Sequence, residues 1–322
     1  MTALQRAADV IASAPVLALA CHHTPDGDAL GSMLALAILA TEHGKEVVAS
    51  WPEPFPVAPH YEFLPGLDLA TKPHDFPPAP DVMVTFDCGS IGRLAELGHP
   101  ARSARELIVI DHHVSNDGYG TINVIDPDAA ASAVVVRRLV QLLGWDLNRD
   151  AAMCLYTGVV CDTGRFQYDN TTPEVFALAQ ELSGFQLPIG EITRKLFEEH
   201  RLAYLKLAAE AIDRAEYDPD RRFVATWVLA DDLARHGVLM EETEGLIDLV
   251  RRTSEADVSA VLKETPEGTK VSLRAVNDYD VSKLAVDFGG GGHRAAAGFL
   301  SEESVPEVLA AIRRRLPVLN GS

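Results

Sequence analysis

Residues 16–28 read Val16-Leu17-Ala18-Leu19-Ala20-Cys21-His22-His23-Thr24-Pro25-Asp26-Gly27-Asp28. The unbroken apolar run Val16–Cys21 has the length and composition of a buried strand. Directly behind it stand His22, Asp26 and Asp28, potential ligands close enough in sequence to converge on a tight turn, which Pro25 and Gly27 would make. From Asp28 to His43 apolar residues return at Leu30, Leu34, Ile38 and Leu39, a helical spacing, with Gly44 as the stop. Working outward, Val47–Trp51, Asp81–Phe86 and Glu106–Ile110 are further apolar strands. Continuous apolar strands separated by helices predict an α/β fold with a Rossmann-like parallel sheet covered on both faces. In such sheets ligands bind at the C-terminal ends of the strands.

Three more acidic or histidine clusters fall where apolar segments end. Asp87 ends Val82–Phe86 and precedes Cys88-Gly89-Ser90; Asp111-His112-His113 ends Ile108–Ile110. Asp162 follows Val159-Val160-Cys161, a segment that reads either as a strand or as the end of a helix. Taken singly, a strand-end Asp is an ordinary cap or turn residue, and a single His an ordinary surface or core residue. Taken together they are costly, because each buried unpaired charge is penalised by several kcal/mol and like charges raise one another's pKa. Two divalent cations remove both costs. Carboxylate and imidazole donors without thiolate suit Mn2+, with Mg2+, Co2+ or Fe2+ as competitors. Two such ions, roughly 3.5–4 Å apart, would clamp a phosphate and generate a hydroxide nucleophile. Cys21, Cys88 and Cys161 adjoin these positions. Alternation along a strand turns a neighbour of a ligand toward the core, so small core residues is the preferred reading over ligands.

The chain of 322 residues is long enough for two ordinary domains. The longest apolar stretches, such as Met33–Ala40, are far shorter than the about 20 residues of a membrane-spanning helix. The start, Met1-Thr2-Ala3-Leu4-Gln5-Arg6, lacks the order of a signal peptide, which predicts a cytoplasmic protein with no membrane partner. Four cysteines without a Cys-x-x-Cys pair argue against a disulfide framework and a zinc ribbon. The net charge of −19 is the reverse of the basic footprint by which proteins grip long nucleic acid. It leaves room for a local basic pocket and biases the substrate toward something short.

Residues 52–80 are proline-rich and read as a surface excursion. Residues 129–143 and 150–160 read as helices, and Thr172-Pro173-Glu174 as a helix start. After Gly184 the character changes. Ile192–Ile212 reads as a charged amphipathic helical stretch linking two halves. A second, smaller α/β unit follows, with a strand at Phe223–Leu229, helices at Asp231–His236 and Glu241–Arg252, and a hairpin of Asp257–Lys263 and Lys270–Val276. The expected domains are 1–188, a linker 189–214, and 215–322.

The motifs resemble the DHH phosphoesterase superfamily across nearly the whole chain. His22–Ser32, Phe86-Asp87-Cys88, Asp111-His112-His113 and the stretch from Thr157-Gly158 to Asp162-Thr163-Gly164-Arg165-Phe166 look like its four motifs. Gly289-Gly290-Gly291-Gly292-His293 resembles the signature of the first type of DHH-associated domain. The resemblance implies that His22 and Asp26 bind one metal, that Asp28, His112 and Asp162 bind the other, and that Asp87 bridges them. His113 would face the scissile phosphate and Asp111 would orient the Asp-His-His turn. Gly290, Gly291 and Gly292 would let backbone approach a phosphate, and His293 would add a donor. Arg274 is open between a grip on substrate and an unpaired surface arginine. The active site is expected in a cleft between the two domains. The layout is similar to the NrnA-like branch, whose members act on oligoribonucleotides of a few residues (nanoRNA, linear dinucleotides), on 3′-phosphoadenosine 5′-phosphate (pAp), or on cyclic di-AMP and related cyclic dinucleotides. An inorganic pyrophosphatase-like hydrolase and a non-catalytic nucleotide sensor are the alternatives. A homodimer is implied by the resemblance alone.

Overall fold

The computed structural model describes residues 1–277 and 279–318. They form two compact units, the first Met1–Leu196 and the second beginning at Phe197.

The first unit runs α1 Ala3–Ser13, β1 Val16–Cys21, α2 Gly27–Glu42, β2 Glu46–Ser50, β3 Val82–Phe86, α3 Gly98–Ser103, β4 Glu106–Asp111, β5 Ile122–Ile125, α4 Ser132–Leu143, α5 Arg149–Asp162, α6 Pro173–Ser183 and α7 Ile189–Phe197. The strands form one sheet in the order β2-β1-β3-β4-β5, and every pairing is parallel. The order reverses direction between β1 and β3, the switch point at which a doubly wound sheet opens beyond its strand ends. Alternation along β1 splits its apolar run between two faces. Ala18 and Ala20 join Met83, Leu107, Leu94, Leu97 and Ala101 in one core cluster.

Helix α2 is buried at thirteen of its sixteen positions, so it is a central helix with almost no polar face. Glycine makes this possible. A Cβ on Gly31 would stand 2.3 Å from the carbonyl oxygen of Cys154, so only glycine lets α5 pass so close. Gly27 has a similar role: a Cβ there would meet the Cys161 sulfur at 2.3 Å. The turn before α2 is therefore made differently from the expectation. The left-handed residue is Thr24 (φ 48°), while Gly27 is the first residue of the helix and is small for packing.

The proline-rich stretch is more than a surface excursion. It buries Tyr61, Leu64 and Phe76, and Ala70 bridges to Ala49 on the outer strand β2. That contact covers an edge that would otherwise present unpaired backbone groups.

The helical stretch expected at Ile192–Ile212 is two helices, α7 and α8 Leu202–Asp213, broken at Glu198-Glu199-His200-Arg201, where no apolar side chain is available to hold a turn. The second unit continues β6 Glu216–Asp218, β7 Phe223–Val228, α9 Ala230–His236, α10 Leu246–Val250, β8 Val258–Thr265, β9 Gly268–Ala275, α11 Val281–Val286, β10 Gly291–His293, β11 Ala296–Ser301 and α12 Val305–Arg315. Its sheet is mixed, in the order β10-β11-β9-β8-β7-β6, with β7 and β8 parallel and the other pairs antiparallel. One face packs Ala260, Leu262, Val271 and Leu273 against Val281 of α11 and Val308 of α12. The other packs Val224, Val228 and Val261 against Leu207 of α8 and Ile247 of α10. No helix among the described residues is long and apolar enough to cross a membrane.

Candidate functional site

The parallel order brings the loop after β1, the loop after β3 and the end of β4 together, and α5 delivers Asp162 as its last residue. This settles the open reading of Asp162 in favour of a helix end. Three groups of side chains gather there: His22, Asp26 and Asp87; Asp28, His112 and Asp162; and Asp87, His112 and His113. Within each group the donor atoms lie within 4.8 Å of one another.

Asp87 stands in the middle. Its Oδ2 is 3.5 Å from Nε2 of His22, and its Oδ1 is 3.4 Å from Nε2 of His112 and 3.5 Å from Nδ1 of His113. The residue has φ 52°, a left-handed conformation uncommon outside glycine. It is fixed by its N–H, which donates to the Ile110 carbonyl at 3.0 Å, and by the Ser132 hydroxyl, which donates to Oδ1 at 3.1 Å.

Asp26 caps α2: its Oδ1 accepts from the Asp28 and Ala29 amides at 3.1 and 3.0 Å. Its Oδ2 is turned toward His22, 3.9 Å away. Asp28 is wholly buried and caps α4 from a distance, accepting from the Ser132 and Ala133 amides at 2.6 and 2.9 Å. Asp111 lies behind the donors. Its Oδ1 accepts from the amides of His112 and His113 and from His113 Nδ1 at 2.7 Å. Asn116 donates to its other oxygen and to the Cys88 carbonyl.

His112 shows whether a cation fits. Its Nδ1 is 3.1 Å from the carbonyl of Ala129, which can only accept, so Nδ1 carries the proton. Nε2 of a neutral ring then turns its lone pair toward Asp162 at 3.0 Å, Asp87 at 3.4 Å and Asp28 at 4.0 Å. Lone pair against carboxylate is repulsive unless a proton or a metal ion stands among them. Titration of the site follows the same conflict. Burial, with the charges of Asp162 and Asp87, pushes Asp28 well above the carboxylate range. Burial pushes Asp162 up to about 6 against the pull of His112. Burial also opposes ionisation of Asp87, but His113, His112 and His22 together hold it well down. Burial disfavours protonated His112 and His113, yet the facing carboxylates outweigh it and raise both. An oxygen- and imidazole-donor cation satisfies all of these groups at once.

The cysteines are not among the donor groups. Burial raises the Cys21 and Cys161 thiols well up and Cys88 to about 11, so they stay thiols; Cys21 and Cys88 are packed in the core and Cys161 is half-buried.

In the second unit, Arg274 lies on β9, its Nη1 3.1 Å from the Leu273 carbonyl and its Nε 3.8 Å from Asp248. It is thus not an unpaired surface arginine. Register places His293, Ala296, Arg274 and Ser259 in one row across four strands. The His293 side chain lies outside what the structure describes. Part of the glycine run is the edge strand β10, and two of its glycines have a packing reason. A Cβ on Gly290 would meet the Gly298 carbonyl at 2.2 Å, and one on Gly292 would meet that of Ala296 at 2.6 Å. Gly291 has open space where a Cβ would be. Lys263 and Lys270 pair in register four rows from Arg274, and both reach Glu244, at 3.0 and 3.2 Å.

Sequence reasoning passed over Ser132, Asn116 and the two lysines. The lysines carried a signal, since Lys270 and Arg274 share a face by alternation. Ser132 and Asn116 carried none of their own, because each acts on a residue brought to it by the sheet.

The description of the DHH family N-terminal domain matches residues 17–159, and that of the DHHA1 domain matches residues 222–317. The bifunctional oligoribonuclease and PAP phosphatase NrnA of Thermus thermophilus is 32% identical over 303 residues, covering 92% of this chain and 89% of the relative. The protein of the same name from Bacillus subtilis is 27% identical, covering 86% of each. An exopolyphosphatase-related protein from Bacteroides fragilis superposes with a TM-score of 0.88 at 23% identity, over 98% of this chain and 97% of the other, and so shares the fold. Two domain matches in order and a relative similar over nearly the full length place the chain in the DHH family, in its NrnA-like branch, as a metal-dependent phosphoesterase.

Proposed function

We propose that the protein hydrolyses short oligoribonucleotides and pAp to 5′-mononucleotides, with cyclic di-AMP as a further candidate substrate. The observation that carries the hydrolytic site is Asp87, whose two oxygens face two separate donor groups. The substrate class is supported by the names of the Thermus and Bacillus relatives and by the acidic net charge, which disfavours a long strand.

His22 and Asp26 would hold one divalent cation, Asp28, His112 and Asp162 the other, and Asp87 both, with Mn2+ the best match to the donors. Cations bound there would supply a Lewis acid and a water acidic enough to attack phosphorus near neutral pH. Asp111 accepts the Nδ1–H of His113, and the charges of Asp87 and Asp111 favour the doubly protonated ring, whose Nε2–H would then donate to the phosphoryl or leaving oxygen. In the second unit Arg274 and Lys270 on β9, with the buried Lys263 behind Lys270, give one face of the sheet a cationic charge suited to a substrate phosphate, and Gly291 and His293 lie on β10, two strands from β9.

The test is turnover with manganese on pAp, a ladder of two- to five-residue RNA, linear and cyclic di-AMP, pyrophosphate and a long single strand. Mononucleotide release from the short substrates with the long strand intact supports the proposal. Cleavage of pyrophosphate alone overturns it.

A further inference from the structure

Arg93 belongs to no role assigned so far. It lies in the 3₁₀ segment Ile91–Leu97 that follows the Asp87 loop. Its carbonyl accepts the His23 amide at 3.0 Å and its amide donates to Ser90 at 3.1 Å, so its backbone is tied to the ligand turns after β1 and β3. Its guanidinium is 3.2 Å from Nδ1 of His22.

That contact does not use the arginine. Nδ1 of His22 is also 2.8 Å from the His23 carbonyl. With Nε2 turned to Asp26 and Asp87, Nδ1 carries the proton and donates to that carbonyl, the arrangement that prepares an imidazole to coordinate a cation. The guanidinium then meets an N–H, not a lone pair. Among the described residues no carboxylate forms an ion pair with Arg93, although the protein carries a net charge of −19. A guanidinium offers five donors and retains its charge. Held half-buried at the rim of the His22–Asp26–Asp87 group, it is prepared for an anion that arrives with the substrate.

We propose that Arg93 is a substrate-binding residue that takes a non-bridging oxygen of the phosphate at the His22–Asp26–Asp87 group. The proposal rests on the nucleotide phosphoesterase reading above and adds a residue specific for the phosphate.

The experiment compares the manganese-loaded wild type, Arg93→Ala and Arg93→Lys in the full chain. It measures manganese per chain, the Kd for AMP by calorimetry, and KM and kcat for pApA. Arg93→Ala should keep its manganese, bind AMP about 10- to 100-fold more weakly and raise KM by a similar factor, the usual effect of losing a hydrogen bond to a charged group. Arg93→Lys should recover part of the loss, as a point charge without the planar fork. If Arg93→Ala does not fold, weaker AMP binding by Arg93→Lys carries the same conclusion. AMP binding that is absent in the wild type or indifferent to Arg93 overturns the proposal. So does loss of manganese with unchanged AMP affinity per loaded chain, which would make Arg93 a support for His22. Arg93-dependent AMP binding without turnover of pApA would leave this inference standing and sink the hydrolytic reading.

Discussion

A Cβ on Gly158 would stand 2.6 Å from Oδ1 of Asp28 and 2.9 Å from the Cβ of Ala133. The bare helix face at Gly158 is thus part of the wall that holds a buried carboxylate against the start of α4. Gly158→Ala should displace Asp28 from the Ser132 and Ala133 amides, and overpacking of this kind costs about 1–3 kcal/mol. Thermal unfolding should show a lower Tm. The Tm gain on adding manganese should shrink more than it does for a surface Gly→Ala change such as Gly190→Ala, where a Cβ meets nothing. Equal manganese gains in the two variants would separate Gly158 from the site.

Asp87→Asn keeps the shape of the side chain and the hydrogen bond from Ser132 but removes the charge shared by two donor groups. Both cations should weaken together, and kcat/KM should fall by more than about 100-fold, beyond what loss of an outer hydrogen-bond partner costs. Elemental analysis of the variant should find less than one manganese per chain. Retention of one tightly held ion would show that the two donor groups do not share Asp87.

The strand-end positions of His22, Asp87 and Asp111 were legible because a parallel sheet concentrates polar residues at one end of apolar strands. The sequence also showed Asp162 but not the type of element that carries it, since three apolar residues fit a strand or a helix equally well. What could not be read was tertiary. Asp28 caps a helix that begins more than a hundred residues later. Gly27, Gly31, Gly290 and Gly292 are required by close approach of other segments, which no local reading shows. Arg93 and Asn116 gain meaning only from the loops beside which the fold sets them.

Asn116 links two of those loops. Its amide donates to Oδ2 of Asp111 and to the Cys88 carbonyl at 3.2 Å, while its own amide N–H donates to the His113 carbonyl at 3.1 Å. Asn116→Leu should leave Asp111 short of a donor and let His113 turn. The expected result is a fall in kcat of about 10- to 100-fold with KM and manganese content near wild type. A rise in KM with unchanged kcat would place Asn116 on the substrate instead.

Arg274→Gln should raise KM for pAp while kcat holds, because a group that binds the substrate equally in ground and transition states alters only binding. Lys263→Met tests the neighbouring lysine, which is 1% exposed and reaches Glu244. Removing one partner of a buried ion pair is costly when the other is left buried and unpaired, but the Glu244 side chain is half exposed and Lys270 still faces it. Tm should therefore stay close to wild type while KM rises. A large loss of Tm with unaltered KM would make Lys263 structural.

The titrating groups of the site make manganese binding depend on pH in a definite direction. Asp162 is raised to about 6, and Asp28, His112 and His113 are also raised, so the metal-free folded protein holds protons that the unfolded chain has begun to release. A folded state that binds more protons than the unfolded state loses stability as pH rises. Asp87 has the opposite shift, but its contribution is complete above the ordinary carboxylate pKa and is lost only as pH falls below it. Between pH 5 and pH 8, therefore, the metal-free protein should become less stable as pH increases. Each cation must displace the protons on its ligands, so its affinity rises over the same interval. The gain in Tm produced by a fixed excess of manganese should accordingly be small at pH 5 and largest at pH 8, and titration in buffers of different ionisation enthalpy should show proton release on binding. A manganese gain that is flat with pH, with no protons released, would mean that the ions bind away from Asp28, His112 and Asp162.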